Sequence, residues 1–76
     1  MKKRVAQASE ADIRKRYPIE GRVVGWYFRI DETSAGAYTV EGSDLHGRLV
    51  ARSGGDPDAL LDECISDAEA IRHELA

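Results

Sequence analysis

The chain has 76 residues, of which 42% are hydrophobic and 33% are charged, and its net charge is -3. This composition is typical of one small globular domain, and the lack of any run of about 20 apolar residues excludes a membrane-spanning helix. The single cysteine, Cys64, excludes an intramolecular disulfide. Polar residues follow the basic N-terminus, where a signal peptide would have an apolar segment, so we expect a cytoplasmic protein.

A short helix is predicted near the N-terminus, over residues 10–16. Ser9 and Asp12 have the spacing of a capping box, in which side chains of the first turn satisfy backbone N–H groups that lack a helical partner. Pro18 ends this helix, because a proline pushes the residue before it out of helical geometry and has no N–H to donate. We assign residues 1–20 to a basic helical extension and residues 21–76 to a single α+β domain.

Three strands are predicted in the middle of the chain, over residues 22–30, 37–41 and 48–52. The short, turn-rich segments between them favour an antiparallel meander. The outer strands of such a sheet have unpaired backbone groups, so we predict a homodimer formed through an exposed strand edge. Strict alternation in the first strand predicts one face directed at the core. This face carries Val24, Trp26, Phe28 and Ile30.

The C-terminal helix has the strongest pattern in the chain. Asp56 stands at its N-cap, Pro57 at its first position, and Asp58 in the first turn, where the helix dipole favours an anion. Apolar residues then recur at helical spacing, which predicts one buried stripe packed on the sheet, and an α+β fold of order αβββα. The stripe consists of Leu60, Leu61, Cys64, Ile65, Ala68, Ile71 and Leu75.

No combination of residues marks a catalytic or metal site. His46 and His73 lie on different predicted elements, without a serine, cysteine or carboxylate at the spacing of a catalytic triad. The carboxylates of the last helix are spread over a convex surface, whereas a metal site needs ligands that converge. We therefore expect a non-enzymatic protein without a cofactor or a bound metal.

Charge is divided unequally along the chain. Residues 1–29 contain eight basic and three acidic residues, whereas residues 30–76 contain three basic and eleven acidic residues. One interpretation is ordinary solvated charge with ion pairs between the two halves, and the other is that the acidic half binds a basic protein partner. In the second interpretation, the partner-binding residues are Asp62, Glu63, Asp67 and Glu69.

An alternative function is the binding of RNA or DNA through the basic N-terminal part of the chain. The order helix, three strands, helix also occurs in double-stranded-RNA-binding domains, but those domains have basic residues at the start of the last helix, where this chain is acidic. Binding without sequence specificity would then fall to basic residues elsewhere. These are Lys2, Lys3, Arg4, Arg14, Lys15 and Arg16.

Short motifs within residues 24–75 follow the pattern of a known family. Gly36–Val40 reads Gly-Ala-Tyr-Thr-Val, Asp44–Gly47 reads Asp-Leu-His-Gly, and Gly55–Leu61 reads Gly-Asp-Pro-Asp-Ala-Leu-Leu. In these motifs the chain resembles the N-terminal domain of HicB-type antitoxins, in which a glycine-led strand and an Asp-Leu-Pro-Gly segment precede a Gly-Asp helix start. Val24–Asp31 is similar to the first strand of that domain.

The resemblance implies a three-stranded antiparallel sheet with a helix on one face, which is a partial ribonuclease-H-like fold without nuclease activity. It also implies a bacterial toxin–antitoxin system, in which the domain binds and neutralises a small basic toxin that cleaves messenger RNA. The chain departs from the family at His46, where the family has proline, in a slightly shorter helix start, and in its additional N-terminal segment. The chain ends at Ala76 without the family's C-terminal DNA-binding domain, which leaves the expectation of operon repression without support.

Overall fold

The structure, a computed structural model, describes residues 10–75. The elements are α1 (Glu10–Arg16), β1 (Ile19–Val23), β2 (Trp26–Ser34), β3 (Ala37–Asp44), β4 (Leu49–Gly54) and α2 (Pro57–Leu75). The strands form one antiparallel sheet whose spatial order, β1-β2-β3-β4, follows the chain. The predicted α+β class, the antiparallel meander and the C-terminal helix packed on the sheet are therefore confirmed.

The prediction of a single first strand over residues 22–30 is wrong, because the structure divides this segment between β1 and β2. Gly25 has a φ of 80°, a left-handed conformation that glycine adopts without the steric cost of a side chain. The chain reverses there, and Val23 pairs with Trp26 across the turn. Val24, predicted to face the core, lies at this turn and is 79% exposed. The sheet consequently has four strands rather than three.

The main core lies between α2 and one face of the sheet. Phe28 of β2, Val40 of β3 and Cys64 of α2 are completely buried there. The Sγ of Cys64 donates a 3.5 Å hydrogen bond to the carbonyl oxygen of Val40, and burial raises the pKa of the thiol, so Cys64 is a core residue as predicted. The rest of this core consists of Val23, Trp26, Val50, Leu60, Leu61 and Ala68.

The predicted apolar stripe of α2 matches the face that meets the sheet. Leu60, Leu61, Cys64 and Ala68 are buried, and two further stripe residues pack against them. Those two are Ile65 and Ile71. The side chain of Leu75 lies outside the described part of the structure.

The start of α2 is confirmed in detail. One carboxylate oxygen of Asp56 accepts hydrogen bonds from the backbone N–H groups of Asp58, at 3.1 Å, and Ala59, at 3.3 Å. These bonds satisfy N–H groups that have no partner within the helix, and Pro57 occupies a first position where its missing N–H has no cost. This cap fixes the point at which α2 begins after the end of β4. Ser9, the predicted cap of α1, lies outside the described residues.

α1 covers the other face of the sheet, where Ile13 and Tyr17 are buried against Tyr27 of β2. The Tyr27 hydroxyl donates a 2.9 Å hydrogen bond to the carboxylate of Glu10, and this bond together with burial raises the pKa of Tyr27. β1 begins at Ile19, within the segment assigned to the N-terminal extension. The helix therefore contacts the sheet directly and is followed at once by the first strand.

The packing of Phe28 requires a glycine on the neighbouring strand. Gly42 lies opposite Phe28 in the β2–β3 pair. A Cβ atom at position 42 would come within 2.5 Å of two carbon atoms of the Phe28 ring and 3.0 Å of a methyl group of Val50. Because core side chains are close-packed, neither neighbour can move away without disturbing others.

We expect Gly42→Ala to lower the free energy of unfolding by about 1–3 kcal/mol, because the added methyl group overpacks the core. Urea denaturation followed by circular dichroism measures this change. Gly55→Ala is the matched control, since the nearest atom to its Cβ would be a backbone oxygen at an ordinary 3.5 Å. Equal effects of the two substitutions would contradict the close contact at Gly42.

Candidate edge-strand binding site

The two outer strands of the sheet, β1 and β4, differ in how they are protected. β1 follows Pro18, contains Gly21 with a φ of 84°, and pairs irregularly with β2, features that discourage pairing with a further strand. β4 instead pairs with β3 in regular register from Leu49 to Gly54 and contains no proline. β4 is therefore the edge that is suited to accept another strand.

The side chains of β4 alternate between the two faces of the sheet. Val50 is buried in the main core, so its neighbour Leu49 points to the face opposite α2, where it is 64% exposed. Leu49 and Val24 are the two exposed large hydrophobic side chains of the described residues. An apolar side chain beside the free edge adds contact area for a strand that pairs with β4.

Acidic side chains of α2 lie along β4. The guanidinium of Arg52, on β4, donates two 2.9 Å hydrogen bonds to the carboxylate of Asp67, and its Nη1 lies 3.6 Å from a carboxylate oxygen of Glu63. The hydrogen bond to Asp67 and the charges of both carboxylates raise the pKa of Arg52. Two carboxylates face one guanidinium here, so the edge of β4 has an excess of negative charge.

The four acidic residues predicted to bind a partner divide into two groups. Glu63 and Asp67, one helical turn apart, contact Arg52 and so lie on the β4 side of α2. Asp62 and Glu69 have a different helical phase, and Glu69 pairs with Arg72 at 3.3 Å between Nε and the carboxylate. The structure therefore brings together Glu63 and Asp67 beside the free edge, and separates them from Asp62 and Glu69.

The basic residues predicted to bind nucleic acid are partly engaged within the fold. Arg14 lies 3.0 Å from the carboxylate of Glu10 and 3.2 Å from that of Glu20, and both carboxylates raise its pKa. Through these two ion pairs Arg14 connects α1 to β1. Lys15 and Arg16 are exposed at the end of α1. Lys2, Lys3 and Arg4 lie outside the described residues.

The turn between β3 and β4 is organised by Asp44, which is buried. Its carboxylate accepts 2.9 Å hydrogen bonds from the backbone N–H groups of His46 and Arg48, and a 3.0 Å hydrogen bond from the Arg48 guanidinium. Burial alone would raise the pKa of Asp44, but the hydrogen bonds from Arg48 and His46 outweigh it, and the pKa lies below its ordinary value. The sequence indicates this role by an aspartate at the start of a turn that contains glycine, because the aspartate carboxylate can accept a hydrogen bond from the backbone N–H two residues later.

The turn containing Asp44 also borders an open groove of about 510 Å³ at one end of the sheet. The β1–β2 turn and the last part of α2 form its other walls. Sequence reasoning did not identify this groove, because its walls come from three separate segments of the chain. Its lining residues are Val24, Gly25, Trp26, Asp44, Leu45, His46, Arg48 and Arg72.

Within residues 10–75, no three histidine, cysteine, aspartate or glutamate side chains converge as ligands of a metal ion. None of the helices in that range has the length and apolar character needed to cross a membrane. Comparison of the chain with protein-family models, curated proteins and solved structures found no match in any of the three. The resemblance to HicB-type antitoxins therefore stays a prediction from short motifs.

Asp44→Asn should lower the free energy of unfolding by about 1–2 kcal/mol at neutral pH, because the Arg48 guanidinium loses a charged acceptor. The folded-state pKa of Asp44 is below its ordinary value of 3.8, so its stabilising effect is complete above that pH and is lost as the pH falls through the folded-state pKa. The difference between the wild type and Asp44→Asn should shrink accordingly in acid.

Urea denaturation at a series of pH values measures this dependence, with Asp62→Asn as the control for loss of an exposed aspartate. A difference between wild type and Asp44→Asn that is constant throughout the acid range would contradict the role of the Asp44 charge.

Proposed function

We propose that the chain is a non-enzymatic protein-interaction module, similar in role to the HicB antitoxin domain, that binds a small basic protein such as a toxin that cleaves messenger RNA. The observation that carries this proposal is the free edge of β4, bordered by Glu63 and Asp67 of α2. A strand of the partner pairs with β4 through main-chain hydrogen bonds. Basic side chains on that strand then lie beside the two carboxylates, which select for positive charge.

The homodimer predicted from the exposed strand edge stays a prediction, and the same carboxylates disfavour one form of it, the pairing of β4 with β4 of a second copy. In such a dimer the two α2 helices would lie side by side on one face of a joined sheet, because α2 covers β3 and β4. Glu63 and Asp67 of one copy would face the same residues of the other, with one Arg52 from each copy between them. The excess of like charge opposes this arrangement and leaves the edge free for a basic partner.

Binding of this kind inhibits an RNA-cleaving toxin without any chemical reaction. A protein that cleaves RNA needs its basic surface to hold the phosphate backbone. A strand of that protein held on β4 would turn the basic surface towards Glu63 and Asp67 and away from RNA. The proposal places this function in the cytoplasm, a reducing compartment that suits the free thiol of Cys64.

The proposal is tested by capture from a nuclease-treated native lysate with the tagged full chain, followed by washes at low and then high salt and mass spectrometry. We expect a small basic protein to be retained at low salt and released at high salt, because salt screens exposed charges. If nucleic acid is recovered from untreated lysate instead, and is lost on replacing Lys15 and Arg16 with glutamine, the alternative function is supported.

Glu63→Lys should weaken capture of the basic protein roughly tenfold, because it replaces attraction by repulsion at the edge of β4. Asp62→Lys is the matched control, since the neighbouring residue undergoes the same change of charge on a different side of α2. A pull-down with graded bait concentration compares the two variants. Equal losses would show that binding depends on the overall acidity of the helix rather than on the β4 edge.

Self-association through β4 should increase with salt concentration, because salt screens the repulsion between carboxylates of the two copies. Light scattering at several protein concentrations should give the monomer mass of 8.4 kDa at low salt and a rising mass at high salt. Leu49→Lys should keep the protein monomeric at high salt, whereas Val24→Lys, at the β1–β2 turn, should not. A mass that falls as salt is added would contradict this mode of pairing.

A further inference from the structure

The groove at the end of the sheet combines an apolar part with two guanidinium groups. Val24, Leu45 and Trp26, which is only 3% exposed, supply the apolar part, whereas Arg48 and Arg72 supply the positive charge. Val24 is 79% exposed, although most large apolar side chains of the described residues are at least partly covered. An apolar ligand that removes such a side chain from water is favoured by the hydrophobic effect.

The size of the groove suits a small molecule. Its volume of about 510 Å³ falls within the range of roughly 300–1,000 Å³ that is usual for small-molecule sites. Such sites are mostly apolar, with a few polar groups that orient the ligand. Here those groups include two arginines of the lining, Arg48 beside the β3–β4 turn and Arg72 near the end of α2.

The described lining residues include two arginines and one carboxylate, which leaves one positive charge in excess and favours an anion. Asp44 is the carboxylate among the described lining residues, and its oxygens already accept hydrogen bonds from His46 and Arg48. Arg72 uses its Nε to contact Glu69, which is not a lining residue. Each guanidinium has further N–H groups, and such groups bind a carboxylate strongly when the side chain is already held in place.

We propose that this groove binds a small carboxylate whose body is aromatic or branched and apolar. The body lies against Val24, Trp26 and Leu45, and the carboxylate accepts hydrogen bonds from Arg48 and Arg72. The site uses neither Glu63 nor Asp67 and does not involve the free edge of β4. It is therefore independent of the proposed protein partner, and either proposal can fail without the other.

The fluorescence of Trp26, the only tryptophan of the chain, reports on this groove directly. We would titrate the full-length protein with phenylpropionate and, separately, with its neutral analogue phenylpropionamide. Phenylpropionate should give a saturable change in Trp26 emission, and the amide should bind roughly tenfold more weakly because it lacks the charge that the guanidinium groups recognise. Equal affinities for the acid and the amide, or no saturable change at millimolar concentration, would overturn the proposal.

Substitution of one lining arginine identifies the site. Arg72→Gln should weaken phenylpropionate binding roughly tenfold, whereas Arg16→Gln, which removes the same charge from the exposed end of α1, should leave it unchanged. Chemical shifts of the backbone N–H groups of Gly25 and His46 should move on addition of the acid. Equal losses in the two variants would show general electrostatic attraction and overturn the groove as the binding site.

Discussion

The contact between the Phe28 ring and Gly42 is the constraint on which the rest of the fold depends. Only a residue without a side chain leaves room for the ring on β3, and the ring in turn fills the space beneath α2 beside Cys64. Phe28 and Gly42 thus lie on the face of β2 and β3 that meets the helix. Because α2 covers β3 and β4, its acidic side borders the free edge of β4.

The opposite face of the sheet is covered unequally. α1 packs over β2, and Tyr17, just after α1, is buried with Tyr27 of β2. The Cζ atom of Arg29 lies 5.5 Å from the centroid of the Tyr17 ring. Arg29 in turn lies 3.4 Å from the carboxylate of Glu41 on β3, so polar contacts continue the cover beyond the helix. Leu49, further along the same face on β4, remains exposed. The cover thus ends before the strand that we propose as the binding edge.

Free strand edges favour unwanted association, and the two edge strands of this sheet differ in the features that oppose it. The irregular β1 is poorly shaped for pairing, because Pro18 precedes it, Gly21 lies within it and its register with β2 shifts. The regular β4 keeps a backbone that can pair, and Glu63 and Asp67 lie beside it, where we propose that their charges select the partner. The irregular shape of β1 protects one edge, and we propose that electrostatic repulsion between like copies protects the other.

Features that depend on neighbouring residues were predictable from the sequence alone. The bounds of α1, the Asp56 cap of α2 and the buried stripe containing Cys64 follow from local hydrogen bonding and helical spacing, so the structure agrees with them. The sequence also indicated that α2 is acidic. Asp62, Glu63, Asp67 and Glu69 were predicted together as one partner-binding surface, because the sequence did not indicate which side of α2 lies beside a strand.

Only the tertiary structure decided the remaining features. The alternation of residues 22–30 is continuous in the sequence, yet pairing of Val23 with Trp26 makes Gly25 part of a turn and moves Val24 to the surface. The position of α2 over β3 and β4 likewise decided which carboxylates border the edge. Both depend on contacts between residues distant in sequence or across a turn, and local patterns carry no information about which of several possible pairings buries the most apolar surface.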